Sequence, residues 1–480
     1  MAGAVAWSAM RSWGTRVATL LVFFILTRIL NPEEIGLISY ILGWLSLLAV
    51  IADLGLAEYI VYNHDSSRLI ELGVWWFQVV VSLAIALLLI ALLLTGHVNP
   101  DKTNPNSIIA MIVLAFTLPI SAAAKIPEAL LRRQMDYKGL AIRSLVAISA
   151  SSVIAIMLAI AGYGLWSLVL KQVTEVIIDT YYCFKLSNWR PSFDFEIAYL
   201  KKALQDGWGI VSSRILDVLS QSADTLIIGS IFGMRDLGFY AMGKKIFQVL
   251  NDGVLQAATG VIASAFGRLQ NDKQRLKAMF LTSIKFSALI TAPVFMIAVA
   301  LSPDWVPIVF GVKWTSSAPI AQILFLTGLL AGFCSLNGFV LLANNRNKAF
   351  FTLMLVDTIV SLSLLALLSQ FGILAAAAAN PIKILLVLPL SLWLSRNVVN
   401  YTLTEYFSAL KAAAVVTLMI AIAWLFVTYL FAIEVLVNLP NIIVAISKAI
   451  IIGAVFIISI RFNYWQEIKQ LRQNLRLQLL

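Results

Sequence analysis

The chain has 480 residues, of which 61% are hydrophobic and only 12% charged, with a mean hydropathy of +0.91. Soluble domains carry roughly a quarter of their residues as charges, so this composition excludes a soluble enzyme and makes lipid the solvent for most of the surface. The net charge of +11 would suit a nucleic-acid partner in a soluble protein, but here membrane topology explains it and no nucleic acid is expected.

A helix needs about 20 mostly apolar residues to cross the hydrocarbon layer. The expected fold class is therefore all-α, a polytopic membrane protein of about fourteen transmembrane helices. In chain order the spans are 8–30, 36–58, 72–96, 107–128, 140–161, 164–186, 207–232, 237–263, 278–301, 318–342, 350–370, 373–395, 408–432 and 441–460. Residues 5–30 are too long for a signal-peptide core, hold Arg11, Arg16 and Arg28, and run into Asn31-Pro32-Glu33-Glu34, so they read as the first membrane helix. Gly162-Tyr163-Gly164 and Phe371-Gly372 predict tight turns between antiparallel neighbours. Residues 302–319 form the longest outward loop. Over 461–480, Trp465, Ile468, Leu471, Leu475 and Leu479 recur at helical spacing, with Lys469, Arg472 and Arg476 elsewhere on the wheel. That predicts an amphipathic helix on the inner leaflet, with a solvated tail as the alternative.

Short loops rich in Lys and Arg stay cytoplasmic. With both termini inside, twenty such residues fall on the inner side, among them Arg132, Arg133, Lys138, Lys185 and Arg190. Only Arg28, Lys102, Arg235 and Lys313 fall outside. The asymmetry supports an even number of spans with both termini cytoplasmic.

The segment after the first span, Pro32-Glu33-Glu34-Ile35-Gly36-Leu37, reappears after the seventh as Met234-Arg235-Asp236-Leu237-Gly238-Phe239, 202 residues later. An acidic residue, an aliphatic one and a Gly coincide. Six spans separate the copies, which implies a parallel repeat about an axis along the membrane normal. The expected organisation is an N-lobe at 1–200, a C-lobe at 201–400, an extra helix pair at 401–460 and the tail at 461–480.

Ionisable side chains inside the bilayer are costly and usually face a cavity or a partner. Arg16, Arg214, Lys244 and Lys245 lie on helices that would border a central cleft, and such cations suit an anionic substrate. An Arg214–Asp217 pair at i, i+3 is the competing structural explanation. Asp217, Asp224 and Glu175 are candidates for carrying a coupling proton. Lys171, Glu175 and Asp179 share one helical face, and a Lys–Glu pair joining helices within a lobe explains them equally well. Asp357 and Lys383 are further intramembrane charges. Lys285 and Lys448 are read as snorkelling or pairing locally. Cys183 and Cys334 read as small core residues. No metal site, cofactor or catalytic group is expected. His97 and Asp101 spell H-x-x-x-D, but Pro100 interrupts them in a short external loop. Without a Walker A sequence, an ion gradient or the membrane potential is the expected energy source.

The chain resembles bacterial polysaccharide or oligosaccharide flippases of the multidrug/oligosaccharidyl-lipid/polysaccharide exporter superfamily. The stretches that carry the resemblance include Arg28-Ile29-Leu30-Asn31-Pro32-Glu33-Glu34-Ile35-Gly36, Asp53-Leu54-Gly55-Leu56 and Leu131-Arg132-Arg133-Gln134-Met135-Asp136-Tyr137. Gly162-Tyr163-Gly164-Leu165-Trp166, Trp189-Arg190-Pro191, Asp224-Thr225-Leu226, Leu237-Gly238-Phe239-Tyr240, Phe266-Gly267-Arg268 and Phe310-Gly311-Val312-Lys313-Trp314 complete them. The resemblance implies a two-lobed, fourteen-helix, alternating-access fold. It implies an undecaprenyl-diphosphate-linked oligosaccharide as substrate, moved to the periplasmic leaflet for cell-surface polysaccharide synthesis. Arg16 and Arg214 are the nearest positional matches to the family's cationic cavity residues. Membrane lipids, and the polymerase and glycosyltransferases of the same pathway, are the implied partners. A cation-coupled multidrug exporter is the alternative, and a membrane glycosyltransferase or polymerase a more distant one.

Overall fold

The computed structural model describes residues 2–62, 67–96, 101, 104–193, 197–254, 266–270, 272–432 and 441–463. The amphipathic tail expected over 461–480 lies outside these from residue 464 onward, and so does His97. Every regular element among the described residues is helical. Among the described residues, ten helices are long and apolar enough to cross a membrane by length and composition, which makes this a multi-pass membrane protein. Helix α8 (Leu165–Ser187) is not among the ten, because Lys171, Glu175, Asp179 and Lys185 interrupt its apolar run.

The chain divides into two compact units, Met1–Ala241 and Met242–Leu480. The first holds α1 (Ala2–Ile29), α2 (Pro32–Asp53), α3 (Leu56–Tyr62), α4 (Arg68–Leu94), α5 (Asn106–Ala115), α6 (Thr117–Arg133), α7 (Tyr137–Ile160), α8 and most of α9 (Ile197–Val254). The expected second span, 36–58, stops early at Asp53, because Leu54 and Gly55 turn left-handed at φ +46° and +65°. The expected fourth span divides into α5 and α6. The expected seventh and eighth spans form one continuous run broken at Gly233, whose φ of +82° and ψ of 177° a side chain tolerates poorly.

Lipid tails are as apolar as Leu, so close packing and polar contacts, more than burial from water, hold membrane helices together. In the first unit, α7 packs between α1 and α8, while α6 touches α8, α4 and α3. Leu56, Ile60, Trp75, Ile126, Leu130 and Trp189 form a buried apolar cluster. There the buried Glu71 accepts from Arg133 Nη2 at 2.9 Å and from Trp189 Nε1 at 3.2 Å, so the carboxylate is paired and hydrogen-bonded.

The two copies of the sequence repeat meet. A Cβ on Gly36 would fall on the Met234 carbonyl oxygen and press on the Gly238 amide, and a Cβ on Gly238 would fall on the Pro32 carbonyl. Along the same seam Gly43 faces Leu226, Gly229 lies under the Tyr40 ring, and Ser46 Oγ sits 2.9 Å from Ser222 Oγ. Small residues thus let two backbones approach closely, as at other membrane-helix contacts. This explains why the repeat keeps its Gly at matching places.

The second unit holds α10 (Lys273–Phe310), α11 (Ser317–Cys334), α12 (Leu336–Ala343), α13 (Asn347–Leu368), α14 (Ile373–Val399), α15 (Leu403–Ala432) and α16 (Asn441–Asn463). Helix α10 runs on through Pro293, Pro303 and Pro307 to Gly311, where φ is +106°. The outward loop expected over 302–319 is therefore helical for its first half, since neighbouring helices satisfy backbone groups that proline frees. Helix α10 packs on α11, α15 and α16, and α14 on α11 and α13. Phe280, Tyr401 and Tyr406 are buried in a stacked aromatic core, with Tyr406 Oη donating to the Phe333 carbonyl at 2.6 Å.

Lys448 neither snorkels nor pairs locally. Its Nζ lies 3.0 Å from both oxygens of Asp304, 144 residues away, so the pair ties α16 to α10. Asp304→Ala is expected to cost about 2 kcal/mol, the usual range for a hydrogen bond to a charged group. Denaturant unfolding in detergent measures it, and adding Lys448→Met should return part of the loss.

Candidate functional site: the charged interior of the first unit

Asp136 starts α7 by accepting from the Gly139 amide at 2.9 Å, after Met135 turns left-handed at φ +56°. This sets Arg143 two turns into the helix and inside the unit, with its side chain only 5% exposed. Its Nη1 lies 3.3 Å from Glu128 Oε2 and donates to Cys183 Sγ at 2.7 Å. Its Nε stands 3.1 Å from Asp179 Oδ1, an ion pair without hydrogen-bond alignment. Asp179 and Cys183 are one turn apart on α8, so both face the guanidinium. Cys183 is thus a polar partner as well as a core residue. Glu128 also pairs with Arg132 one turn on, at 2.5 Å.

Two cavities flank this cluster. One, of about 360 Å³, is lined by Thr15, Ser121, Lys125, Glu128, Gln172, Glu175 and Asp179, among others. Its walls offer charges and amide and hydroxyl groups, which suits ordered water. The other, of about 50 Å³, is bordered by Asp53, Glu58, Lys125, Glu128, Arg132 and Arg214. It sets three carboxylates against three cations. The surroundings of Arg214 are thus balanced in charge, where the sequence suggests a cluster of cations. Asp53 itself accepts from Gln78 Nε2 at 2.5 Å.

Of the proposed substrate-binding residues, Arg16 and Arg214 belong to the first unit, and Lys244 and Lys245 to the second. Arg16, Lys244 and Lys245 are half-buried and each is engaged by neighbours. Arg214 lies 3.5 Å from Asp217, with the two side chains 48% and 39% exposed. A pair that open to solvent is worth about 0–1 kcal/mol. Exposure therefore separates two kinds of arginine: Arg214 sits in a half-exposed pair, and Arg143 is enclosed by its partners.

The ion-coupling candidates also differ. Asp217 accepts from Gln221 Nε2 at 2.8 Å. Asp224 accepts from the Thr225 amide at 2.7 Å and from the buried Tyr240 hydroxyl at 2.6 Å, clamping the two sides of the Gly233 break. Glu175 is held by Lys171 Nζ at 2.6 Å and lines the larger cavity. The Lys171–Glu175 pair lies within α8, one turn apart, and does not join two helices as expected. Across to α7, Asp179 meets Arg143, and Glu175 accepts from Ser151 Oγ at 3.5 Å. Among the described residues no group of carboxylates, thiols and imidazoles is arranged to hold a metal.

Sequence reading missed Lys125, Glu128 and Arg143 as interior charges, because they lie near predicted span ends where loop charges are ordinary. The i, i+3 and i, i+4 spacing of Lys125, Glu128 and Arg132 was the available signal.

The family described as polysaccharide biosynthesis protein matches residues 25–319. The chain is 26% identical over 335 residues to the succinoglycan biosynthesis transport protein ExoT of Rhizobium meliloti (strain 1021), covering 69% of this chain and 67% of that one. It is 24% identical over 349 residues to the lipopolysaccharide biosynthesis protein WzxC of Escherichia coli (strain K12), covering 71% and 69%. It is 23% identical over 375 residues to the teichuronic acid biosynthesis protein TuaB of Bacillus subtilis (strain 168), covering 77% and 76%. Among solved structures, the lipid II flippase MurJ in an inward closed conformation superposes with a TM-score of 0.72 at 12% identity, covering 94% of this chain and 98% of that one. An inward-facing multidrug resistance MATE family transporter of the MOP superfamily gives 0.62 at 14% identity, covering 80% and 94%. The fold is that of these membrane transporters.

Proposed function

Because this chain belongs to the polysaccharide biosynthesis protein family, we propose that it flips an undecaprenyl-diphosphate-linked oligosaccharide from the cytoplasmic to the periplasmic leaflet of a bacterial inner membrane. Fourteen crossings with both termini cytoplasmic, and lobes at 1–200 and 201–400 followed by a helix pair at 401–460, belong to the same reading. The observation that carries it is a body of apolar helices enclosing polar cavities walled by charged side chains. The similarity to ExoT, WzxC and TuaB supports the substrate class.

Flipping must carry a diphosphate and sugars through a layer in which each charge is poorly solvated. Fixed cations and polar walls replace the lost water, and the attraction is stronger where the dielectric is low. Arg214, weakly paired and exposed, is proposed to meet the diphosphate, with Arg16 on α1 beside it in role. Lys244 and Lys245 are candidates for the same work. The weakness of the Arg214–Asp217 pair helps release as well as capture, because Asp217 takes the guanidinium back when substrate leaves. Asp217, Asp224 and Glu175 are the proposed proton carriers, Glu175 being the one beside the larger cavity. The partners in this reading are membrane lipids and the polymerase and glycosyltransferases that use and supply the substrate.

Deleting the gene is expected to stop the surface polysaccharide while its lipid-linked precursor accumulates several-fold in extracted membranes. A normal precursor pool with normal polysaccharide would contradict the proposal. So would loss of resistance to cationic drugs as the sole phenotype, which belongs to an exporter.

A further inference from the structure

We infer that the end of α8 is a binding site for an anionic phospholipid, with its phosphodiester held between Lys185 and Arg190 and an acyl chain lying along Ile177 and Tyr181. The inference needs only that the chain is embedded in a membrane and does not rest on the flippase reading.

The site is an open cavity of about 300 Å³ lined by Tyr181, Phe184, Lys185 and Arg190. Its two cations are held in place. Lys185 Nζ sits 5.7 Å from the ring centres of both Tyr181 and Tyr182, so two aromatic faces fix the ammonium at low entropic cost. Arg190 Nη1 donates to the carbonyls of Phe184 at 2.9 Å and Trp189 at 3.2 Å, which anchors the guanidinium at the C-terminal end of the helix. Trp189 is itself buried and fastened to Glu71, so the anchor is rigid. Among the described residues, none of the ion pairs engages Lys185 or Arg190, although both are exposed. The shape of the surface names the ligand. Leu170, Ile177 and Tyr181 are 38%, 49% and 58% exposed, at spacings that put them on one face of α8, and Lys185 continues that face by one further turn. An apolar strip ending in two fixed cations matches an acyl chain ending in a phosphate. Among the described residues, no carboxylate lines the cavity to receive the ammonium of a zwitterionic headgroup.

The test uses the full chain, purified and delipidated in detergent, and counts lipid adducts by native mass spectrometry during titration. The probes are phosphatidylglycerol, phosphatidylcholine and inorganic phosphate. Wild type should hold one phosphatidylglycerol far more tightly than phosphatidylcholine. At roughly fivefold per cation, Lys185→Gln should weaken that adduct about fivefold, and Lys185→Gln with Arg190→Gln about thirtyfold. Phosphatidylcholine binding should not change. Lys185→Gln breaks only aromatic contacts, so it reads out the site even if Arg190→Gln loosens the helix end. Equal phosphatidylglycerol affinity in wild type and both variants would overturn the inference. Phosphate alone displacing the lipid at equal concentration would also overturn it, since the acyl strip would then contribute nothing.

Discussion

Arg143→Met is expected to destabilise the protein by about 3–5 kcal/mol, the range for removing one member of a buried ion pair. The guanidinium is 5% exposed and lies among Glu128, Asp179 and Cys183. Methionine fills most of the volume but takes from Glu128 and Asp179 the cation that they share. Desolvation that the arginine had offset is then borne by both. Combining Arg143→Met with Glu128→Gln and Asp179→Asn should recover much of the loss, because a neutral cluster no longer strands a charge. Unfolding midpoints in detergent distinguish the two variants. Equal stability of wild type and Arg143→Met would mean that water or rearrangement already solvates the cluster.

Gly36→Val and Gly238→Val are each expected to lower surface polysaccharide by about tenfold or more, following the usual cost of overpacking. The added Cβ meets carbonyl oxygens of the facing backbone, Met234 for Gly36 and Pro32 for Gly238, and these cannot swing aside as side chains do. Gly36→Ala should show an intermediate loss. Gly453→Ala, where nothing lies within 4 Å of the new methyl group, should leave output unchanged. Complementation of a deletion strain, with protein levels measured, reads all four. Full complementation by both valine variants would show that the two repeat copies need not pack this closely.

The fold was legible in the sequence because its main signal is long-range and redundant. Apolar runs of spanning length and the turns at Gly162, Gly164 and Gly372 needed no tertiary information, and these glycines do take positive φ at +84°, +48° and +104°. The quoted family stretches turn out to be largely caps, turns and anchors. Glu34 accepts from the Asn31 amide at 2.8 Å, Asp136 caps α7, and Trp189 fastens to Glu71. They mark the ends of helices, where sequence must specify a particular backbone geometry.

The interior was much less legible. Lys171, Glu175 and Asp179 announced a polar face, but its partner, Arg143, comes from another helix and has no fixed spacing to them. The same holds for Lys448 and Asp304. Pairings between helices depend on which faces meet, which hydropathy does not encode. The outward loop expected over 302–319 is another case: α10 continues through Pro303 and Pro307, and Gln322 Nε2 of α11 donates to the Val299 carbonyl that Pro303 frees, at 2.9 Å.

The central claim is that a weakly paired arginine in a polar interior helps an anionic lipid-linked oligosaccharide cross the membrane. Its most direct test is the rate at which a labelled undecaprenyl-diphosphate oligosaccharide changes leaflet in proteoliposomes holding the purified chain. Wild type is predicted to accelerate flipping over protein-free vesicles. Arg16→Ala and Arg214→Ala are each predicted to lower the rate about tenfold, the effect of losing one charged contact worth roughly 1.5 kcal/mol. No acceleration by wild type, or full rates in both variants, would contradict the account.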